Sequence, residues 1–134
     1  MCFKAGKYGR CRTCKISRST FAASDEQKGF VITTSKAYKQ GAREKYWFAY
    51  RRNPLEDIKN CKERYVVYGC KDENTMICLP VEDIEKQIDR LNTSLDDGEI
   101  SHWHIVFFKD ADGKITWMFS KPEIEEIEIN QYLI

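Results

Sequence analysis

Apolar and polar positions alternate with period 2 over several short runs, while only one stretch carries a helical stripe. Residues 30–34 (Phe-Val-Ile-Thr-Thr) read as a strand opened by Gly29. Residues 36–44 form a polar connection broken by Gly41. Residues 45–52 (Lys-Tyr-Trp-Phe-Ala-Tyr-Arg-Arg) then give a strand with Lys45, Trp47, Ala49 and Arg51 on one face and Tyr46, Phe48, Tyr50 and Arg52 on the other. Asn53-Pro54, with Glu56 two residues on, predicts a short helix with Asn53 as its cap, ending near Lys62 and burying Leu55 and Ile58.

Two apolar runs, 65–70 and 75–79, flank Lys-Asp-Glu-Asn and predict a hairpin. Pro80 opens the clearest helix. Glu82, Asp83 and Glu85 suit its positive end, and Val81, Ile84, Ile88 and Leu91 keep one stripe. Asn92-Thr93-Ser94 ends it, and Asp96-Asp97-Gly98 is a turn. Residues 103–108 and 115–119 flank Asp-Ala-Asp-Gly and predict a second hairpin. Trp103, Ile105 and Phe107 share one face there, as do Ile115, Trp117 and Phe119, and these are the best core candidates. Beyond Ser120, Ile127 and Ile129 alternate and fit strand or helix. Residues 1–28 carry Phe3, Tyr8, Ile16 and Phe21 in no period, so loops and a short hairpin at most are expected. The count gives an α+β fold: a single compact domain over 29–134 with a mostly antiparallel, hairpin-rich sheet and one or two helices, preceded by an irregular basic segment over 1–28.

A chain of 134 residues suffices for one domain with its own core. No apolar run approaches the roughly 20 residues that span a bilayer, and the basic N-terminus lacks a secretory apolar region. A soluble, cytoplasmic protein with no membrane partner is therefore expected, and its six cysteines (2, 11, 14, 61, 70, 78) are expected as thiols.

Charge changes the picture more. Residues 1–52 hold 13 Lys and Arg against 3 acids, a net +10, whereas residues 53–134 hold 9 against 18, a net −9. The basic part points to a polyanion partner, or else the two parts fold together and cancel. The strand at 45–52 has two readings in that light. Trp47 and Phe48 are core and the flanking cations solvated ends; or Tyr46, Phe48 and Tyr50 form an exposed platform rimmed by Lys45, Arg51 and Arg52, on which unpaired bases stack. The second reading makes Lys45, Tyr46, Tyr50, Arg51 and Arg52 nucleic-acid contacts, supported by Arg10, Arg12, Lys15 and Arg18, with DNA or RNA as partner. An acidic protein docking on the basic segment is the alternative partner.

Candidate chemistry is thin. Cys11-Arg-Thr-Cys14, with Cys2 nearby, is half a zinc knuckle without its second pair. His102 and His104, at i and i+2, place both imidazoles on one strand face as a metal pair requires, with Asp110, Asp112 or a cysteine as conceivable third ligand. A metal-dependent phosphodiester hydrolase would use His104 with clustered carboxylates. Its acid-x-lysine signature recurs only at Glu26–Lys28 and Asp57–Lys59, neither mid-strand. Cys70 with His104 as base is a conceivable nucleophile pair. The chain contains no Gly-rich phosphate loop and no nucleophile elbow. No cofactor, no metal and no catalytic residue is assigned from these patterns.

Overall fold

Strand β4 (Lys28–Ser35) and strand β6 (Arg43–Tyr50) meet where the Trp47 amide donates to Ser35 Oγ but belong to different sheets, so two sheets stand where one was expected. Between them β5 (Tyr38–Gln40) and a turn with Gly41 at φ 65° double the chain back, pairing Tyr38 with Lys45 and Gln40 with Arg43. β4 pairs in parallel along its whole length with β7 (Glu63–Cys70), whose hairpin partner is β8 (Thr75–Pro80). β6 instead pairs antiparallel with β10 (Glu99–Lys109), Tyr50 opposite Trp103 and Lys45 opposite Phe108.

The computed structural model describes residues 2–4, 12–17, 20–23, 27–70 and 75–134, the first three segments by backbone alone. Those segments are β1 (Cys2–Lys4), β2 (Arg12–Ser17) and β3 (Thr20–Ala23), so strands stand where loops were expected. Sheet A runs β1-β2-β3-β4-β7-β8. In sheet B the order is β12-β11-β10-β6-β5, with β11 at Ile115–Phe119, β12 at Glu125–Glu128, and β9 (Thr93–Asp96) pairing the start of β10. β9 was not foreseen, although the turn after it was: Asp97 (φ 52°) and Gly98 (φ 81°) both take the left-handed conformation that a two-residue hairpin loop needs.

The sheets pack face to face over an aromatic core. Tyr46, Phe48 and Tyr50 of β6 point inward with Ile105 and Phe107 of β10 and Ile115, Trp117 and Phe119 of β11. From sheet A come Val31, Val66, Tyr68, Ile77 and Leu79. The Tyr68 ring joins the layers, its centroid 4.7 Å from Phe48 and 5.5 Å from Phe107. Five of the six expected hairpin core residues are buried; Trp103 is half-buried beneath Arg52.

The helices are shorter than their stripes predicted. Asn53–Ile58 is a 3-10 turn whose cap position falls on Arg52 without a side-chain bond, so Asn53 is not the cap. It still buries Leu55 and Ile58, and it lies so close to β4 that a Cβ on Gly29 would meet Ile58 Cβ at 2.6 Å. The helix after Pro80, α1 (Val81–Lys86), breaks at Gln87 into a 3-10 turn, Ile88–Arg90. The tail Asn130–Tyr132 returns over it, with Tyr132 Oη donating to Asp83 Oδ2 at 3.0 Å. The whole is one compact domain, mostly β with antiparallel sheets and short helices. No helix among the described residues is long and apolar enough to cross a membrane.

Two core polar atoms, Tyr68 Oη and Trp117 Nε1, are buried without a hydrogen-bond partner among the described residues. An unsatisfied buried group costs about 1–3 kcal/mol. Tyr68→Phe is therefore expected to leave urea stability unchanged or raise it by about 1 kcal/mol. A clear loss would reveal a partner for the hydroxyl, such as a buried water.

Candidate nucleic-acid interface on the outer face of sheet B

The alternation in β6 puts Lys45, Trp47 and Ala49 opposite the core-facing tyrosines, and burial along the strand follows it: Tyr46 1%, Trp47 38%, Phe48 1%, Tyr50 2% exposed. The platform expected from Tyr46, Phe48 and Tyr50 is thus turned inward. These rings fill the space between the sheets because sheet A covers that face of β6. Tyr46 Oη donates to Glu44 at 2.8 Å and Tyr50 Oη to Glu85 at 2.5 Å, so neither ring offers a surface to a base. Burial first, then the bond to Glu85, pushes the Tyr50 hydroxyl far above its usual titration range. Burial alone would raise the Glu85 carboxyl, but the hydrogen bonds from Arg52 and Tyr50 hold it below the ordinary value.

The exposed aromatic is Trp47, the ring first assigned to the core. Cross-strand neighbours in register share a face, so Tyr38 (56% exposed) stands beside Lys45, and Trp47 lies over Val106. Edge-on to Trp47 stand His104, at 5.3 Å between ring centroids, and His102, at 5.9 Å. The two imidazoles stack at 5.4 Å. Ser94 Oγ on β9 lies 2.7 Å from His104 Nε2, and Ser101 Oγ 2.8 Å from His102 Nδ1. Arg51 reaches the same nitrogen of His102 at 3.5 Å.

The arginines divide into two kinds. Arg43 lies 4.1 Å over the Phe108 ring and bonds Glu126 at 2.6 Å. Arg52 covers Trp103 and bonds Glu85 at 2.6 Å, and Arg90 covers Phe119 and bonds Glu125 at 3.1 Å. All three are tied down, Arg52 included, although its position suggested a ligand contact. Lys45 and Arg51, flanking Trp47 on its own face, have no carboxylate at ion-pair distance among the described residues. The face is therefore basic and aromatic over β5, β6 and the start of β10, and acidic at β12.

Of the supporting cations, Arg12 and Lys15 lie on β2, while Arg10 and Arg18 fall outside the described residues. Cys11 also falls outside them, and Cys2 sits opposite Cys14 in the β1–β2 register. The two histidines share a face as expected, but no group of three metal-ligating side chains forms among the described residues. Asp110 and Asp112 sit beyond the far end of β10. Cys70 is buried in sheet A whereas His104 lies on the outer face of sheet B, so they cannot act as a pair. Sequence reasoning missed the exposure of Trp47; the signal was present in its alternation with Tyr46 and Phe48, but not which face sheet A covers.

Both histidines titrate below the ordinary imidazole value of 6.5, His102 through burial and then Arg51 and His104, His104 through burial. A depressed folded value means the unfolded chain binds protons first, so stability is lost as pH falls below about 6.5. Were a phosphate to sit on this face, it would be held more tightly over the same range, because protonation adds cations beside Trp47. Thermal melts and oligonucleotide titrations at pH 7.5 and 5.5 should move in opposite directions. His102→Gln/His104→Gln should flatten both.

No protein-family model, curated protein or solved structure matches the chain.

Proposed function

We propose that this protein binds single-stranded nucleic acid on the outer face of sheet B. The observation that carries the reading is Trp47, an exposed ring between Lys45 and Arg51 on one strand face, with no carboxylate pairing either cation among the described residues. A base stacks on the indole for about 1–3 kcal/mol, and cations on either side hold the flanking phosphates. Tyr38 and the imidazoles of His102 and His104 extend the platform across three strands. Lys45 and Arg51 keep the role that their sequence position gave them; Trp47 and Tyr38 replace Tyr46 and Tyr50. The finer α+β description and a cytoplasmic location belong to the same proposal.

Fluorescence anisotropy with single- and double-stranded DNA and RNA at two salt concentrations, with and without magnesium, tests this. Single strands should bind best. Two phosphate contacts give a log–log salt slope of about −1.4 on a single strand, and the cations of β1 and β2 would steepen it. Binding that ignores salt, or heparin binding without oligonucleotide binding, overturns the reading, the latter in favour of an acidic protein partner. Probe cut in magnesium and spared by EDTA would move the assignment to a phosphodiester hydrolase.

A further inference from the structure

Where β4 and β6 part, they leave an open cleft of about 590 Å³ lined by residues 31–34, Ala49, Arg51, Pro54 and Val66. Two strand edges face it. β3 pairs with β4 only as far as Val31, and β5 with β6 only as far as Lys45, so no strand among the described residues pairs with these edges further along. At the narrow end the Trp47 amide donates to Ser35 Oγ at 3.3 Å and closes the gap. The Trp47 amide points away from β10, and backbone groups two residues on point the same way. The N–H and C=O of Ala49 therefore aim at the cleft.

We infer that this cleft is a nucleobase pocket, holding one unstacked base of the strand whose neighbouring base stacks on Trp47; the inference rests on the reading above. The volume falls within the roughly 300–1,000 Å³ of small-ligand sites. Valines, Pro54 and the Ala49 methyl give apolar walls for the base faces. The adjacent donor and acceptor of Ala49, with the hydroxyl of Thr33, meet a base edge, while Thr34 faces the other side of β4 beside Gly69. An added peptide strand fits less well, because the Ser35–Trp47 bond shortens the usable edge to the groups around one residue. Arg51 joins the two sites: it lines the cleft and reaches His102, which stands against Trp47. A phosphate held by Arg51 would lie between the stacked base and the inserted one.

An abasic scan tests it, moving one base-free position along a short oligonucleotide. Two positions should each weaken binding at least threefold. Trp47→Ala should erase the penalty at one and keep it at the other, and Thr33→Phe, which fills the cleft, should do the reverse. A single sensitive position, or two that both answer to Trp47→Ala alone, overturns the pocket while leaving the sheet-face reading intact. Methyl NMR of the unaltered protein with adenosine and uridine monophosphates keeps the test independent of any variant's folding. Shifts at Val31, Ile32, Ala49 and Val66 are expected. Such shifts without any oligonucleotide binding would sink the sheet-face reading, and with it the paired arrangement. Shifts with an extended tetrapeptide and none with nucleotides would replace the pocket with a strand-addition site.

Discussion

Phe107→Ala is expected to lower stability by about 3–5 kcal/mol, the usual cost of emptying a fully buried phenylalanine site. Phe107 is 0% exposed and stands in the middle of the aromatic core. Its ring centroid lies 5.6 Å from Phe48, 5.5 Å from Tyr68 and 6.4 Å from Trp117, so the cavity would open between both sheets. Neighbouring rings are rigid and themselves packed, which limits collapse into the space. Urea unfolding followed by tryptophan fluorescence measures it. Phe108→Ala is the comparison: Phe108 is next in sequence and also buried (3% exposed), but it lies on the outer face under the Arg43 guanidinium and outside the aromatic core, so a smaller loss is expected. Comparable losses for the two would mean that the inner face is not the principal core.

Trp47→Ala should weaken single-strand binding about 5- to 150-fold, the equivalent of 1–3 kcal/mol of stacking, and leave the urea midpoint close to that of the parent. The separation of the two readouts is what makes the test informative. An indole that is 38% exposed and edge-on to two imidazoles supports little of the fold, whereas a stacking ring carries binding directly. Arg51→Ala should cost less affinity and reduce the salt slope by about 0.7 for one phosphate lost. Unchanged affinity in Trp47→Ala would remove the sheet face from consideration, whatever the salt dependence of the parent.

Much of the hairpin structure was legible in the sequence because hairpins are local. Residues 65–79 and 103–119 each place alternating runs around a turn-forming tetrapeptide, and period 2 assigns their faces without knowledge of the rest. The faces of β6 were legible too. What alternation cannot say is which face another sheet will cover, so the sequence leaves open whether Trp47 and Phe48 are core or Tyr46, Phe48 and Tyr50 form an exposed platform. That choice depends on β4 pairing with β7, a pairing between segments with no local signal for each other. The helix after Pro80 was misjudged in length for a different reason. Its stripe continues through Ile88 and Leu91, and Leu91 is indeed buried, but the chain reaches that burial through a 3-10 turn that satisfies the same apolar positions. β9 escaped notice because Thr-Ser-Leu-Asp carries no alternation, and its strand state is set by the edge of β10 beside it.

The parallel pairing of β4 with β7 also bears on how the chain assembles. It registers residue 28 with residue 63, and the chain between the two strands runs through β5 and β6 of the other sheet and the turn at 53–58. Loop-closure entropy makes such a junction late, while the β5–β6 and β7–β8 hairpins and the β10–β11 pair close over short loops. The route to the native state then passes through hairpins that exist before the sandwich does, with the β4–β7 pairing, 35 residues apart, and the β6–β10 pairing, 53 to 65 residues apart, closing after them. Substitutions along β4, such as Val31→Ala, should therefore appear mainly as faster unfolding, and those in β10 and β11 as slower folding.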